Sequence, residues 1–257
     1  MAVVGGGNMG AALVGGLLRA GWSPSDLAVV EVVPGRVDEL RAMFPGVAVD
    51  GTIPPCASAV VAVKPHDAPA ATTAAVAAGA RRVLSIAAGV SLATLQAAAG
   101  DAAVVRSMPN TPALVGQGAA AIAGGSTAVE ADLAWAEEVL GSVGTVVRVP
   151  ERQLDAVTGL AGSGPAYLFL VAEALIDAGV LAGLTRADSE ALTTQLLAGS
   201  AELLRQRGEP ARLRAQVTSP GGTTAEGLRV LEEHGVRSAF IEAVQAAARR
   251  SAELGRG

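Results

Sequence analysis

The first stretch whose residue types could bind a ligand is Gly5-Gly6-Gly7-Asn8-Met9-Gly10. It reads G-x-G-x-x-G at Gly5, Gly7 and Gly10. The apolar Ala2-Val3-Val4 precedes it, and Leu13, Leu17 and Leu18 follow at helical spacing. Strand, glycine turn and helix in that order are the setting in which this pattern binds a dinucleotide. Gly5 permits the turn, Gly7 lets the backbone approach a pyrophosphate, and Gly10 lets the helix pack close to the strand. Free N–H groups and the positive end of the helix dipole favour the phosphates.

A second stretch of this kind is Val217-Thr218-Ser219-Pro220-Gly221-Gly222-Thr223-Thr224-Ala225-Glu226-Gly227-Leu228. Paired glycines and four hydroxyls open a helix whose apolar residues are Leu228 and Leu231. Exposed N–H groups with Thr223 and Thr224 suit a small carboxylate ligand. By composition alone the stretch also reads as an elaborate helix cap.

In open α/β sheets, ligands bind beyond the carboxyl ends of the strands. Glu31 and Arg36 follow the second strand. An acid about 20 residues past the glycines holds the ribose 2′-hydroxyl of NAD, whereas an Arg accommodates the 2′-phosphate of NADP. The sequence offers both, and each also reads as an ordinary surface charge. In Ala62-Val63-Lys64-Pro65, the proline keeps Lys64 out of helical geometry. Lys64 is open to three readings: a catalytic ammonium, a cation near the phosphates, or a surface lysine. Ala87-Ala88-Gly89-Val90 is small enough for a nicotinamide ring to lie against, or is plain packing. Arg106-Ser107-Met108-Pro109-Asn110-Thr111-Pro112 reads as an ordered loop, structural before ligand-lining. Gly162-Ser163-Gly164-Pro165-Ala166-Tyr167 reads as a domain-entry turn or as a helix start that touches substrate. Pro165 suits the first helical turn.

These segments need a scaffold, and the pattern supplies one. Residues 1–149 alternate strand and helix: strands at Leu27–Glu31, Ala57–Val63, Arg81–Ala87, Ala103–Arg106, Gly118–Ala123 and Thr145–Val149, with helices at Arg36–Phe44, Ala68–Ala78, Ser91–Ala99 and Ala128–Leu140. Repeated βα units predict an α/β fold with a doubly wound parallel sheet. From Pro150 no strand pattern recurs, which predicts an all-helical domain over 150–257. Leu168, Val171, Ala174, Leu175 and Ala178 form one inward stripe, ending at Gly179. Thr185 caps a second helix, with Asp188 three residues on. That helix runs to Gly208, and Gly199 inside it predicts a close helix crossing. The last helix is Val236–Leu254, with Phe240, Ile241 and Val244 inward.

Composition narrows the classes. The 257 residues are 51% hydrophobic but only 2% aromatic, so the core is aliphatic. A net charge of -5 without a basic patch argues against nucleic acid as a partner. One cysteine, Cys56, excludes an internal disulfide, and two histidines leave little for metal. No charged leader precedes an apolar segment, and glycines and prolines break the apolar runs. The expectation is a soluble, cytoplasmic protein without a transmembrane helix.

Six blocks, in order, resemble one family. GGGNMG at Gly5–Gly10, AVKP at Ala62–Pro65, SIAAGV at Ser85–Val90, MPNTPA at Met108–Ala113, DAVTGLAGSGPAY at Asp155–Tyr167 and VTSPGGTTAEGL at Val217–Leu228 are similar to pyrroline-5-carboxylate reductases. The last block is the most specific, and the resemblance spans essentially the whole chain. It implies a Rossmann-type domain followed by a helical dimerisation domain, and reduction of 1-pyrroline-5-carboxylate to L-proline by NADPH or NADH. It places Gly5, Gly7, Asn8, Met9 and Gly10 at the pyrophosphate, Ala62, Val63, Lys64 and Pro65 beside the cofactor, and Ala87 and Ala88 near the nicotinamide. Ser219, Gly221, Gly222, Thr223 and Thr224 become the substrate loop, with Thr224 at the ring nitrogen. Arg36 would read the 2′-phosphate of NADP. The resemblance also implies homodimers, assembled in some members into decamers, with sites drawing on both subunits. Where the family carries an Asn before the fourth strand, the nearest polar residue here is Asp50. Glu31 also departs from its phosphate-binding version.

Two rivals remain at this point. A 3-hydroxyacid dehydrogenase-like enzyme shares the glycine finger and helical tail. It needs a lysine on the first long helix of the second domain, whereas the only lysine here is Lys64. A nucleotide-sensing protein without catalysis would carry a partner-binding module, and none is visible.

Overall fold

The computed structural model describes residues 1–255. In chain order the elements are β1 (Ala2–Val4), α1 (Asn8–Arg19), β2 (Ala28–Val30), α2 (Pro34–Met43), β3 (Ala48–Asp50), β4 (Ser58–Val61), α3 (Ala68–Ala77), β5 (Arg82–Ser85), α4 (Leu92–Ala99), β6 (Ala103–Met108), β7 (Gly118–Gly124), α5 (Glu130–Gly141), β8 (Gly144–Arg148), α6 (Leu154–Val157), α7 (Gly164–Leu181), α8 (Arg186–Arg207), α9 (Pro210–Gln216), α10 (Thr223–Glu233) and α11 (Val236–Leu254). A π-turn, Thr158–Gly162, joins α6 to α7.

The strands form one sheet in the order β3-β2-β1-β4-β5-β6-β7-β8. Every pair is parallel except β6 with β7. The doubly wound, mostly parallel sheet is as expected, and its one antiparallel pair follows from chain length. Parallel neighbours need a crossover of roughly a dozen residues or more. The β6–β7 link holds only the short turn Thr111–Val115, so the chain must double back. Helix α5 then supplies a true crossover, and β8 returns parallel. The short β3 carries no pattern of its own in the sequence.

Successive strand residues point to opposite faces, and the core divides accordingly. Val3, Val29, Val60, Leu84 and Val105 join Leu13, Leu17 and Leu40 of α1 and α2 on one face. Ala59, Val61, Val83 and Val104 join Leu95 of α4 and Leu154 of α6 on the other. Central strands buried on both faces read as continuous apolar runs, which is why β4 and β5 were visible in the sequence.

The chain forms two compact units, Met1–Ser163 with Gln245–Gly257, and Gly164–Val244. The change of pattern near residue 150 therefore falls inside the first unit. Two contacts explain why. Leu154 is buried against the sheet, and Glu151 Oε1 accepts from Arg106 at 2.9 Å and from the Leu92 N–H at 2.6 Å. Arg106 is 9% exposed, so the Glu151 carboxylate both neutralises a buried guanidinium and caps α4. Replacing Glu151 by Ala strands both donors. The expected cost is about 2–4 kcal/mol of stability, measurable by chemical denaturation against Arg152→Ala as a control.

In the helical unit, Thr185 caps α8 by accepting from the Asp188 N–H at 3.1 Å, as its sequence predicts. The expected close crossing at Gly199 is not found within the chain: a Cβ there would meet only Gln195 Nε2, at 3.9 Å. The close approach is at Gly179 instead, where a Cβ would collide with Ser189 Oγ, itself bonded to the Ile176 carbonyl at 2.8 Å. The inward stripes are also corrected. Leu168 is 57% exposed and Ile241 59%, and no buried large apolar side chain lies on α7. The helical stretch Glu151–Leu181 is, by length and composition alone, apolar enough to cross a membrane, contrary to expectation.

Candidate active site

The glycine turn is built as its spacing requires. Gly5 has φ 110°, and a Cβ on it would strike the Ala62 carbonyl. A Cβ on Gly10 would strike the Gly5 carbonyl. Both glycines are therefore demanded by close backbone contact between β1, β4 and α1. Gly7 differs: nothing lies within 4 Å of the position its Cβ would take. It is the N-cap of α1, with no side-chain cap and no acid in the first turn. The N–H groups of Asn8, Met9 and Gly10 have no acceptor among the described residues. An open cradle of unpaired donors at a helix start fits a pyrophosphate.

Glu31 and Arg36 flank this turn, and both grip Gly6. Glu31 Oε2 accepts from the Gly6 N–H at 3.1 Å, while Oε1 accepts from Val32 and Val33 at 2.8 and 3.0 Å. Arg36 Nε donates to the Gly6 carbonyl at 2.8 Å, and its Nη1 pairs with Glu39 at 2.7 Å. The two candidate ribose readers are thus side by side at the carboxyl end of the β2 region. Gly6, a variable position of the G-x-G-x-x-G pattern, is constrained as well: a Cβ there would collide with Leu40 Cδ1. Asp50, at the end of β3, accepts from the Gly51 N–H at 2.6 Å.

The remaining candidates of this unit cluster at neighbouring strand ends, mostly through backbone. Met9, Ala62 and Val63 pack their side chains against the core. Lys64 is exposed and extended, ahead of the turn Pro65–Asp67. Ala87 is buried and Ala88 exposed. Ala88 and Gly89 line a cavity of about 700 Å³ together with Pro65, Thr158 and Ser163. The Met108–Ala113 block has the structural role: Asn110 accepts from the Ala119 N–H at 2.8 Å and donates to the Ala161 carbonyl at 3.0 Å.

Ser219, Gly221, Gly222, Thr223 and Thr224 lie in the helical unit. Gly221 has φ 67°, and Gly222 caps α10 with a hydrogen bond back to the Ser219 carbonyl at 3.0 Å. No side chain caps this helix. The N–H groups of Thr223, Thr224 and Ala225 have no acceptor among the described residues, and Thr224 is half-buried. Helices α4 and α8, by contrast, begin on capping hydroxyls. The bare start of α10 is suited to an anion rather than to its own cap.

A mostly parallel sheet, a glycine turn with open donors and a helical second unit define a Rossmann-type dinucleotide-binding protein. Comparison with known proteins narrows the class. A family model for pyrroline-5-carboxylate reductase dimerisation matches residues 151–254, and one described as NADP oxidoreductase coenzyme F420-dependent matches residues 1–89. A pyrroline-5-carboxylate reductase of Synechocystis is 46% identical, covering 100% of this chain and 98% of its own. That of Mycobacterium tuberculosis is 42% identical over 99% of this chain and 96% of its own. A solved reductase from Coxiella burnetii superposes with TM-score 0.91 at 34% identity, covering 98% of this chain and 97% of that one. One from Plasmodium falciparum, solved with NADP bound, gives 0.83 at 29% identity, covering 99% and 97%. The chain belongs to the pyrroline-5-carboxylate reductase family. The match to a dimerisation domain supports a homo-oligomer, which is consistent with the exposed apolar side chains of the helical unit. The stretch Glu151–Leu181 is broken by the bend at Ser163.

Proposed function

We propose that this chain reduces 1-pyrroline-5-carboxylate to L-proline, as an oxidoreductase acting on a carbon–nitrogen bond, in the cytoplasm. The observation that carries the reading is the full-length likeness to reductases of that name, with the substrate-loop sequence intact at an uncapped helix start. When bound, a reduced nicotinamide would supply the hydride for C5 of the cyclic imine and leave oxidised; the proton on the ring nitrogen would be carried by an already protonated iminium or drawn from solvent. Gly5, Gly7, Asn8, Met9, Gly10, Ala62, Val63, Lys64, Pro65, Ala87 and Ala88 are proposed to hold the cofactor. Ser219, Gly221, Gly222 and Thr223 hold the substrate carboxylate at the α10 start, and Thr224 donates to or orients the nitrogen. Lys64 offers its charge to the phosphates. Among the described residues no His, Cys or Lys–carboxylate dyad is supplied for acid catalysis, so catalysis rests on positioning and electrostatic complementarity. The assembly is a homodimer, with a decamer as the higher form, and each site draws on both subunits.

The test is loss of reduced-nicotinamide absorbance with purified protein and 1-pyrroline-5-carboxylate, once with NADPH and once with NADH. Rapid oxidation with either supports the reading. A folded protein that binds cofactor but oxidises neither overturns it.

NADPH is proposed as the preferred donor, with Arg36 as reader of the 2′-phosphate. Glu31 opposes this by charge, but its oxygens are occupied by three backbone N–H groups. Arg36→Ala is therefore expected to raise KM for NADPH about tenfold, a loss of ~1.4 kcal/mol, and to leave KM for NADH nearly unchanged. Equal effects on the two cofactors would remove Arg36 as the reader.

A further inference from the structure

Within the α/β unit, the carboxyl end of α11 is packed on the loop proposed to face the nicotinamide. Ser251 is 7% exposed, and its hydroxyl donates to Asp155 Oδ1 at 2.7 Å. The Gly255 N–H closes the helix on the Ser251 carbonyl at 3.1 Å. A Cβ on Gly255 would stand 3.0 Å from the Gly89 carbonyl oxygen. Gly89 itself has φ 76°, so the loop makes its turn where this chain end touches it. Arg250 and Leu254 form the opposite wall of the cavity that Ala88 and Gly89 line.

Helix α6 and the turn before it hold the same loop at its exit. Glu151 and Asp155 are spaced to share a helical face. Glu151 takes the Leu92 N–H, where the loop enters α4, and Asp155 takes Ser251, whose helix backs the middle of the loop. Ala87 anchors the entrance by burial in the core and by a bond from its N–H to Ser85 Oγ at 3.3 Å. The segment Ala87–Val90 is therefore fixed at both ends and braced between them by the end of α11. The clasp sets register, because Ser251 without its partner would be left with a buried, unpaired hydroxyl.

We infer that the Asp155–Ser251 clasp and the end of α11 are a positioning device for the nicotinamide-facing loop, one that governs how well the reduced ring is held. Neither residue touches the reacting atoms. The inference rests on the reading of Ala87–Val90 given above.

The experiment compares dissociation constants for NADPH and for 2′-phospho-ADP-ribose, which lacks only the nicotinamide, in the full chain. Ser251→Ala is expected to weaken NADPH about tenfold, as for one lost buried hydrogen bond, with the fragment unaffected and kcat reduced. Asp155→Asn keeps an acceptor and should behave as wild type. A chain ending at Leu254 removes the Gly255 contact with little threat to folding, and should show the same split between the two ligands. Equal weakening of both nucleotides, or of neither, in Ser251→Ala and in the chain ending at Leu254 overturns the inference. If the wild type binds NADPH no better than the fragment, the nicotinamide assignment of the loop fails first. If the wild type distinguishes them and the variants do so equally well, only the clasp is overturned.

Discussion

Replacing Thr224 by Val is expected to lower kcat about a hundredfold, on the scale of one lost transition-state donor, while the dissociation constant for NADPH stays at the wild-type value. Valine keeps the shape and removes only the hydroxyl. Thr224 stands in the first turn of α10, half-buried, in a helix that no side chain caps. Threonine favours a place where its hydroxyl bonds the local backbone, and here it makes no such bond among the described residues. A hydroxyl left free beside three unpaired N–H groups is available to a ligand. As the imine is reduced, the ring nitrogen passes from an acceptor to a protonated amine. A donor aimed at it is worth most where charge is changing. Thr224→Ser should retain most of the activity. Thr223→Ala should act chiefly on KM for the imine, since the carboxylate is held alike in ground and transition states. The measurement is steady-state kinetics with both substrates varied, alongside calorimetric titration of NADPH. An unaltered kcat in Thr224→Val would leave the α10 start as a carboxylate holder and send the search for a proton donor elsewhere.

The two halves of the chain differ in how much their sequence reveals. In the α/β unit, apolar runs such as Ser58–Val61 and Arg82–Ser85 are buried by their own chain, so pattern and burial coincide. The glycine finger was legible because close backbone contacts forbid a Cβ at Gly5 and Gly10, and Gly7 stands between them with open space in front of it. The antiparallel β6–β7 pair was not, since the sixth strand runs on to Met108 rather than ending at Arg106, and with the shorter strand the link to Gly118 is close to the length a parallel crossover needs. The helices of the second unit were legible in extent: Thr185 and Gly208 end α8 where their chemistry says they should. Their burial was not, because a hydrophobic stripe looks alike whether its partner is the same chain or a second copy. Leu168 and Ile241 are apolar yet exposed in the single chain, as the match to a dimerisation domain allows.

Side-chain direction set the other limit. Glu31 and Arg36 were found by their distance from the glycines, but only coordinates show that both reach Gly6. Ser251 lies far from Asp155 in sequence and outside every block that carries the resemblance. A serine in the last turns of an amphipathic helix gives no sign of being buried. The parts that bind by backbone were therefore easier to read than those that act by aim.

The glycines of the finger are expected to separate folding from binding when each is replaced by Ala. At Gly5 a Cβ would meet the Ala62 carbonyl at φ 110°, a backbone region that costs a non-glycine residue about 1–3 kcal/mol before any collision. At Gly10 the collision is with the Gly5 carbonyl. Both variants should lose stability, lowering Tm by roughly 5 °C or more, and lose NADPH binding with it. Gly7→Ala should behave otherwise. Its φ of -64° and ψ of -174° are ordinary for alanine, and no atom lies within 4 Å of the new methyl. Alanine at this position also has fewer unfolded conformations to lose than glycine. Tm should hold or rise slightly. The same methyl would project into the open space before the unpaired N–H groups of α1, where the pyrophosphate is proposed to lie. NADPH binding should weaken at least about tenfold, ~1.4 kcal/mol or more. Differential scanning calorimetry with and without NADPH reads both quantities in one experiment. A Gly7→Ala protein that binds NADPH at full strength would show that the cradle is not where the phosphates sit. One that unfolds like Gly5→Ala would show that Gly7 serves the fold, and the division of labour within the finger would be wrong.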